Sequence, residues 1–238
     1  MIRSMKTLLL VVVVAMLAAC AGPVAKIDSS PIALAKVKTI AVIRTPEPKT
    51  YTVMNFGHPG MAFGLIGGLI AASDQSSKQD QLTAALKKLD LAPTSTSLAD
   101  SIAAQLTRVG FEAKVEDGPW VETDGKFQLT FDQINSSADT VLVVSPTIVG
   151  FVATGATSDY LPTITAIVTL LGKDRKETLY RGFHACGWQP KAEGWKYSAT
   201  KTTFSNFDAL MADPEKTAGA LRDVSAEIAM TVADDLKR

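Results

Sequence analysis

Hydrophobic and polar positions alternate with different periods along this chain, and the changes of period mark its elements. Val37 to Arg44 reads as a first strand, with the β-branched Ile40, Val42 and Ile43 inside it and Thr45-Pro46-Glu47-Pro48 closing it. Tyr51 to Ala72 carries no Asp, Glu, Lys or Arg. After Ser73 a stretch rich in Asp, Gln, Ser and Lys reads as a linker, and a short amphipathic helix follows near Gln79 to Leu89. A second helix is predicted from Ser97, where Ser97 and Asp100 have the spacing of a capping box. Leu98, Ile102, Leu106 and Val109 form its apolar stripe, and Gly110 supplies the stop.

Phe111, Ala113 and Val115 then alternate with Glu112 and Lys114, the pattern of a half-buried strand. Ala138 to Val144 reads as a buried strand running on toward Phe151, with Pro146 and Gly150 marking a bend or bulge. Thr163 to Leu171 and Glu177 to Cys186 flank Gly172-Lys173-Asp174-Arg175-Lys176 as a hairpin. The chain ends in a long helix with Asp213 as cap and Pro214 at its first position. Leu221, Val224, Ile228, Val232 and Leu236 make its apolar stripe. This order predicts an α/β fold, a mixed sheet with helices packed on it, plus a Gly-rich hydrophobic helical segment.

The extreme N-terminus follows a different logic. Arg3 and Lys6 precede an apolar run from Leu8 to Ala19 of about a dozen residues, against the roughly 20 that a helix needs to cross a bilayer. The run ends in Leu17-Ala18-Ala19-Cys20, which resembles the lipobox of bacterial lipoproteins. The resemblance implies that residues 1–19 are a signal peptide and that Cys20 becomes the lipid-bearing first residue of the mature chain. Because the residue after the Cys is Ala21 and not Asp, it also implies sorting to the outer membrane, facing the periplasm. Residues 20–35, small and polar with Pro23 and Pro31, read as a lipidated tether, and 36–238 as one periplasmic domain.

Removing Arg3 and Lys6 from 24 basic and 24 acidic side chains leaves 22 against 24, a balance that gives no electrostatic reason to expect nucleic acid. With Cys20 acylated, Cys186 has no partner for a disulfide. Val109-Gly110-Phe111 and Ala138 to Val144, within the order of elements above, resemble the periplasmic α/β domains of envelope-assembly lipoproteins of the curli-secretion and penicillin-binding-protein-activator types. That resemblance implies a fold more than a function.

The chain has no Gly-x-Ser-x-Gly elbow, phosphate loop or His-Glu-x-x-His helix. His184 and Cys186 share a strand face, but two ligands fall short of a zinc site, so no metal and no cofactor are expected. Glu112, Glu116, Asp117, Glu122 and Asp124 read as solvated acids, with an acid pair across a cleft as the competing reading. Trp188, Trp195 and Trp120 read as partly buried loop residues, or as the floor of a glycan or peptide groove.

Gly60, Gly64, Gly68 and Ala72 recur every four residues, a glycine-zipper-like stripe over 60–72. Glycine disfavours a helix by about 1 kcal/mol relative to Ala, so the stripe calls for a close partner: another helix of the chain, the same segment of a second copy in a homo-oligomer, or the lipid surface. A flexible loop is the plain alternative. The function expected is a lipid-anchored, non-enzymatic binding or scaffold module with a protein partner in envelope assembly. The rivals are a membrane-inserting oligomer built on the stripe and an enzyme of envelope glycans or lipids.

Overall fold

The structure is a computed structural model that describes residues 24–59, 64–89, 91, 94–123 and 126–238. Leu17, Ala18, Ala19, Cys20, Gly60 and Asp124 lie outside the described residues.

Among the described residues five α-helices and nine strands follow in the order α1 (Pro31–Leu34), β1 (Thr39–Arg44), β2 (Thr52–Asn55), α2 (Gly64–Lys87), α3 (Thr94–Arg108), β3 (Glu112–Asp117), β4 (Trp120–Thr123), β5 (Lys126–Leu129), β6 (Thr140–Ala153), β7 (Leu161–Leu171), β8 (Thr178–Cys186), β9 (Trp195–Ser198), α4 (Phe207–Ala212) and α5 (Pro214–Asp235). Seven strands make one mixed sheet in the order β3-β1-β6-β7-β8-β9, with β2 also on β6, and β4 and β5 pair as a separate hairpin. The α/β expectation, a mixed sheet with helices packed on it, is what the chain forms.

The long strand β6 organises the sheet. Its first half pairs in parallel with β1, Val42 opposite Leu142, and its second half in parallel with β2, Val53 opposite Phe151. Between the halves the register with β7 slips at Pro146/Ile148. That is the bend expected from Pro146, since proline cannot donate to the ladder. Gly150 has φ +155°, and a Cβ there would stand 2.0 Å from the Thr52 carbonyl oxygen, so only glycine lets β2 lie against β6 at this point.

One face of the sheet, with Val42, Leu142, Phe151, Ile164 and Leu170, is buried under Leu98, Ile102 and Leu106 of α3 and Leu221, Val224, Ile228 and Val232 of α5. Ala41, Ile43, Val141, Val143 and Leu171 on the other face are covered by Ile134, Trp120 and Leu129 around the small hairpin.

Three expectations need revision. The stretch 73–78 is not a linker: α2 runs unbroken through it. Its polar residues support the helix through Lys78 to Asp74 (2.6 Å) and Gln81 to Ser77 (3.2 Å), while Ala71, Leu82 and Leu86 are buried. Helix α3 begins at Thr94, so Ser97 is interior to it. The orphan amides of its first turn donate to a distant carboxylate, Glu47, from Thr94 N (3.1 Å) and Ser95 N (2.8 Å). Finally, the segment read as a tether is fastened well before residue 35. Ile27 exchanges two backbone hydrogen bonds with Arg181, Ser29 donates to the Asp235 carbonyl at 2.8 Å, and Leu34 is buried.

By contrast, α5 starts as expected: the Asp213 side chain accepts from Lys216 N and Pro214 takes the first helical position.

Candidate functional site

Two features lie along β8 and the turn after it: a buried polar network facing α5, and an open aromatic groove at the end of the sheet.

The network is built by alternation. Tyr180, Gly182 and His184 project toward the helical layer, and Gly182 is the reason the other two meet: a Cβ there would stand 1.8 Å from the Tyr180 hydroxyl and 2.8 Å from His184 Nε2. Tyr180 Oη lies 2.7 Å from His184 Nε2 and donates to Asp235 Oδ2 at 2.8 Å; His184 Nδ1 lies 2.9 Å from Thr231 Oγ1. The Thr231 hydroxyl donates to Ile228 O at 2.9 Å, so with a neutral ring Nδ1–H donates to Thr231 Oγ1, and the Tyr180 O–H is shared between Nε2 and the Asp235 carboxylate. Lys196 Nζ closes the chain with bonds to Asp235 Oδ1 (2.8 Å) and Asp234 Oδ2 (2.9 Å).

Burial pushes the His184 imidazole down to about 4, against the pull of Asp235 and with Lys196 adding to the depression. Burial likewise raises the Tyr180 hydroxyl, and Asp235 adds to it. For Lys196 burial works downward, but its bonds to Asp235 and Asp234 prevail and the ammonium is raised. Cys186, also buried, has its thiol pushed up to about 12 by burial, with Glu227 adding, which keeps it protonated and unreactive. His184 and Cys186 thus share the face expected of them, each fully buried. Among the described residues no group of three or more His, Cys, Asp or Glu side chains is placed to hold a metal.

The second feature lies where β2, β6 and β8 end and β7 begins. Phe56, Thr154, Leu161, Gly187, Trp188, Gln189, Lys191 and Tyr197 line an open groove of about 670 Å³. Phe56 is fixed by its amide bonding to Ala153 O at 3.0 Å and lies against Trp188, ring centroids 5.3 Å apart. The Tyr197 hydroxyl donates to Gly187 O at 3.1 Å.

The three tryptophans do not converge. Trp188 floors this groove, Trp195 lies against Phe183 (5.6 Å), and the Trp120 indole donates to Arg44 O at 2.8 Å beside the hairpin. Of the acids, Glu112 and Glu116 line one small cleft of about 120 Å³ with Lys114 between them, Asp117 pairs with Arg44 and Glu122 with Lys49. His58 lies 3.5 Å from Asp74 on α2.

Gly64, Gly68 and Ala72 lie on α2. No described atom comes within 4 Å of a Cβ built on Gly68, and Ala72 is exposed, so no other described part of the chain packs on the stripe there. Among the described residues no helix is long and apolar enough to cross a membrane.

No family model and no curated protein matches this chain. Solved structures with some likeness include the PelC dodecamer from Paraburkholderia phytofirmans, at 11% identity over 90% of this chain and 95% of that one, TM-score 0.37. A Xanthomonas campestris protein of the DUF330 family is 10% identical over 89% of this chain and 90% of its own, TM-score 0.41. At these scores neither likeness transfers activity, partner or assembly to this chain.

Proposed function

We propose that this chain is a lipoprotein anchored through Cys20 to the outer membrane, facing the periplasm, and acts there as a non-enzymatic binding or scaffold module in envelope assembly. The observation that carries the binding role is the open groove of Phe56, Trp188 and Tyr197: a cluster of aromatic side chains left facing water is the usual mark of a contact surface. The buried His184 network supports the non-enzymatic part. Its polar groups are spent on one another, and His184 itself is sealed from solvent. The lipobox supports the anchor.

Metabolic labelling with a fatty acid and mass spectrometry of the N-terminal peptide test the anchor. Thioether-linked lipid on Cys20 is expected, with Cys20→Ala releasing the body to the periplasm or stalling it as precursor; an unmodified Cys20 overturns the reading. Complementation of a deletion strain tests the role: Trp188→Ala is expected to lose function while His58→Ala and Glu116→Ala keep it. Loss from either of the latter with folding intact would favour an enzyme.

The open space over Gly68 favours a second reading, self-association along the stripe. Cross-links between copies through Gly68→Cys, in a Cys186→Ala background, would support it.

A further inference from the structure

The aromatic end of the sheet also carries exposed apolar residues of α2. Three hydrogen bonds fix how α2 lies against β2: Lys87 Nζ donates to Lys49 O (2.8 Å), Tyr51 N to Thr83 Oγ1 (2.9 Å) and Gln75 Nε2 to Asn55 O (3.2 Å). Helix numbers fall as strand numbers rise, so the two run antiparallel. Asn55 is the last residue of β2, and Ile70 precedes Gln75 by five residues, about 8 Å of helix rise. Leu69 and Ile70 therefore project beyond the sheet end, 65% and 61% exposed, on the side where Phe56 and Tyr197 are 44% and 37% exposed. Of nine large apolar side chains exposed among the described residues, these are four, gathered at one end.

The opposite end of β7 and β8 is charged, with Lys173, Asp174, Lys176 and Glu177 all exposed in the turn and Lys36 and Asp139 nearby.

The N-terminal fastening then limits where a membrane can be. Ile27 is held to Arg181 on β8, and Cys20 is seven residues upstream, a fully extended reach of at most about 25 Å. From Arg181 along β8 to Gly187 at the groove is about 20 Å. If Cys20 is lipidated, the bilayer surface lies within reach of either end of β8, and surface chemistry chooses between the ends. Trp and Tyr favour the headgroup level, exposed aliphatic side chains favour the acyl boundary, and a lysine can pair with lipid phosphate.

We infer that the end formed by Phe56, Leu69, Ile70, Trp188 and Tyr197 is seated on the lipid surface, Leu69 and Ile70 entering it and Lys191 meeting the headgroup phosphates. This rests on the anchored reading above and names lipid as what that end touches. It turns the charged β7–β8 turn away from the membrane.

The test uses the full lipidated chain in vesicles of phosphatidylethanolamine and phosphatidylglycerol, in a Cys186→Ala background. A polarity-sensitive fluorophore is attached at Leu69→Cys or Ile70→Cys, with Lys176→Cys as the far-end control. All three positions are exposed, so the label does not disturb the core. Iodide quenching at 69 and 70 is expected to fall roughly fivefold on vesicles, as for a side chain ~5–10 Å below the headgroups, with none of this at 176. Lipid-borne spin labels should quench 69 and 70 instead. Equal iodide quenching at 69, 70 and 176 with Cys20 shown by mass to carry lipid overturns the seating and leaves the anchor standing. An unlipidated Cys20 overturns the anchor and the seating with it. Protection at 69 and 70 that depends on protein concentration and persists in detergent assigns the surface to a second copy and also overturns the seating.

Discussion

Tyr180 and Trp188 stand eight residues apart on β8 and the turn that follows it, and their surroundings differ in kind. Around Tyr180 each polar atom has a partner: hydroxyl, imidazole, threonine, carboxylate and ammonium form one connected network under the end of α5. Around Trp188 the side chains have each other and open space. The first arrangement holds a helix to a sheet around an imidazole sealed from solvent. The second adds little to the fold that a substitution would miss, and leaves surface for something else. Chemistry-bearing residues are thus a poor guide here to where the molecule meets its surroundings. The histidine, the tyrosine and the cysteine are used inside, and the side chains left in solvent at the groove end are aromatic and aliphatic.

The contrast can be broken most severely from the buried side. His184→Ala removes the middle of the chain and leaves Thr231 and Tyr180 short of a partner, so denaturant unfolding should show a loss of about 2–4 kcal/mol.

A gentler perturbation is pH. The unfolded chain takes up a proton on His184 near its ordinary 6.5 and the folded protein only near 4, so between these values the unfolded state binds more protons. Stability should be complete above about 6.5 and decline as pH falls toward 4, by at most about 1.4 kcal/mol per pH unit. Asp234 is held at about 2 by hydrogen bonds from Lys237 and Lys196, so its contribution is lost only at lower pH. Urea midpoints at pH 7, 5.5 and 4.5 measure the slope, and His184→Gln should flatten it.

The smallest effect belongs to the open side. With nothing described above Gly68, Gly68→Ala should stabilise by about 0.5–1 kcal/mol through helix propensity. Destabilisation in the same urea experiment would mean that the stripe is covered.

The parts of this fold written in local signals were legible in the sequence. Asp213 and Pro214 announce α5, Pro146 and Gly150 announce the irregularity in β6, and the five residues from Gly172 announce the β7–β8 hairpin. What sequence reading missed depends on distant groups. Ser73 to Lys78 reads as linker because it is polar all round; it is helical because Ala71 and Leu82 on either side are buried and Gln75 bonds to Asn55. Glu47 caps a helix 47 residues away, a role no window around Ser97 reveals. β2, β9 and the β4–β5 hairpin have four residues per strand, too few for a period to register. The Tyr180–Asp235 bond joins residues 55 apart, so alternation on β8, which put His184 and Cys186 on one face, could not supply the carboxylate. Among the groove residues Trp188 was a named candidate. Phe56 and Tyr197 were not, since only strand ends brought together by the sheet make them neighbours.

The position of α5 has a further consequence for biogenesis. Its apolar stripe forms one side of the main core, it supplies Thr231 and Asp235 to β8, and Arg238 beyond it donates to Val37 O beside the first strand. A ribosome adds these residues after the strands they cover, and the pairings they complete have some of the longest sequence separations in the molecule. A nascent chain emerging up to Asp213 therefore presents a sheet whose helical face has α3 on it but lacks the second helix that closes it. The final helix is thus the piece that completes the cover of this face.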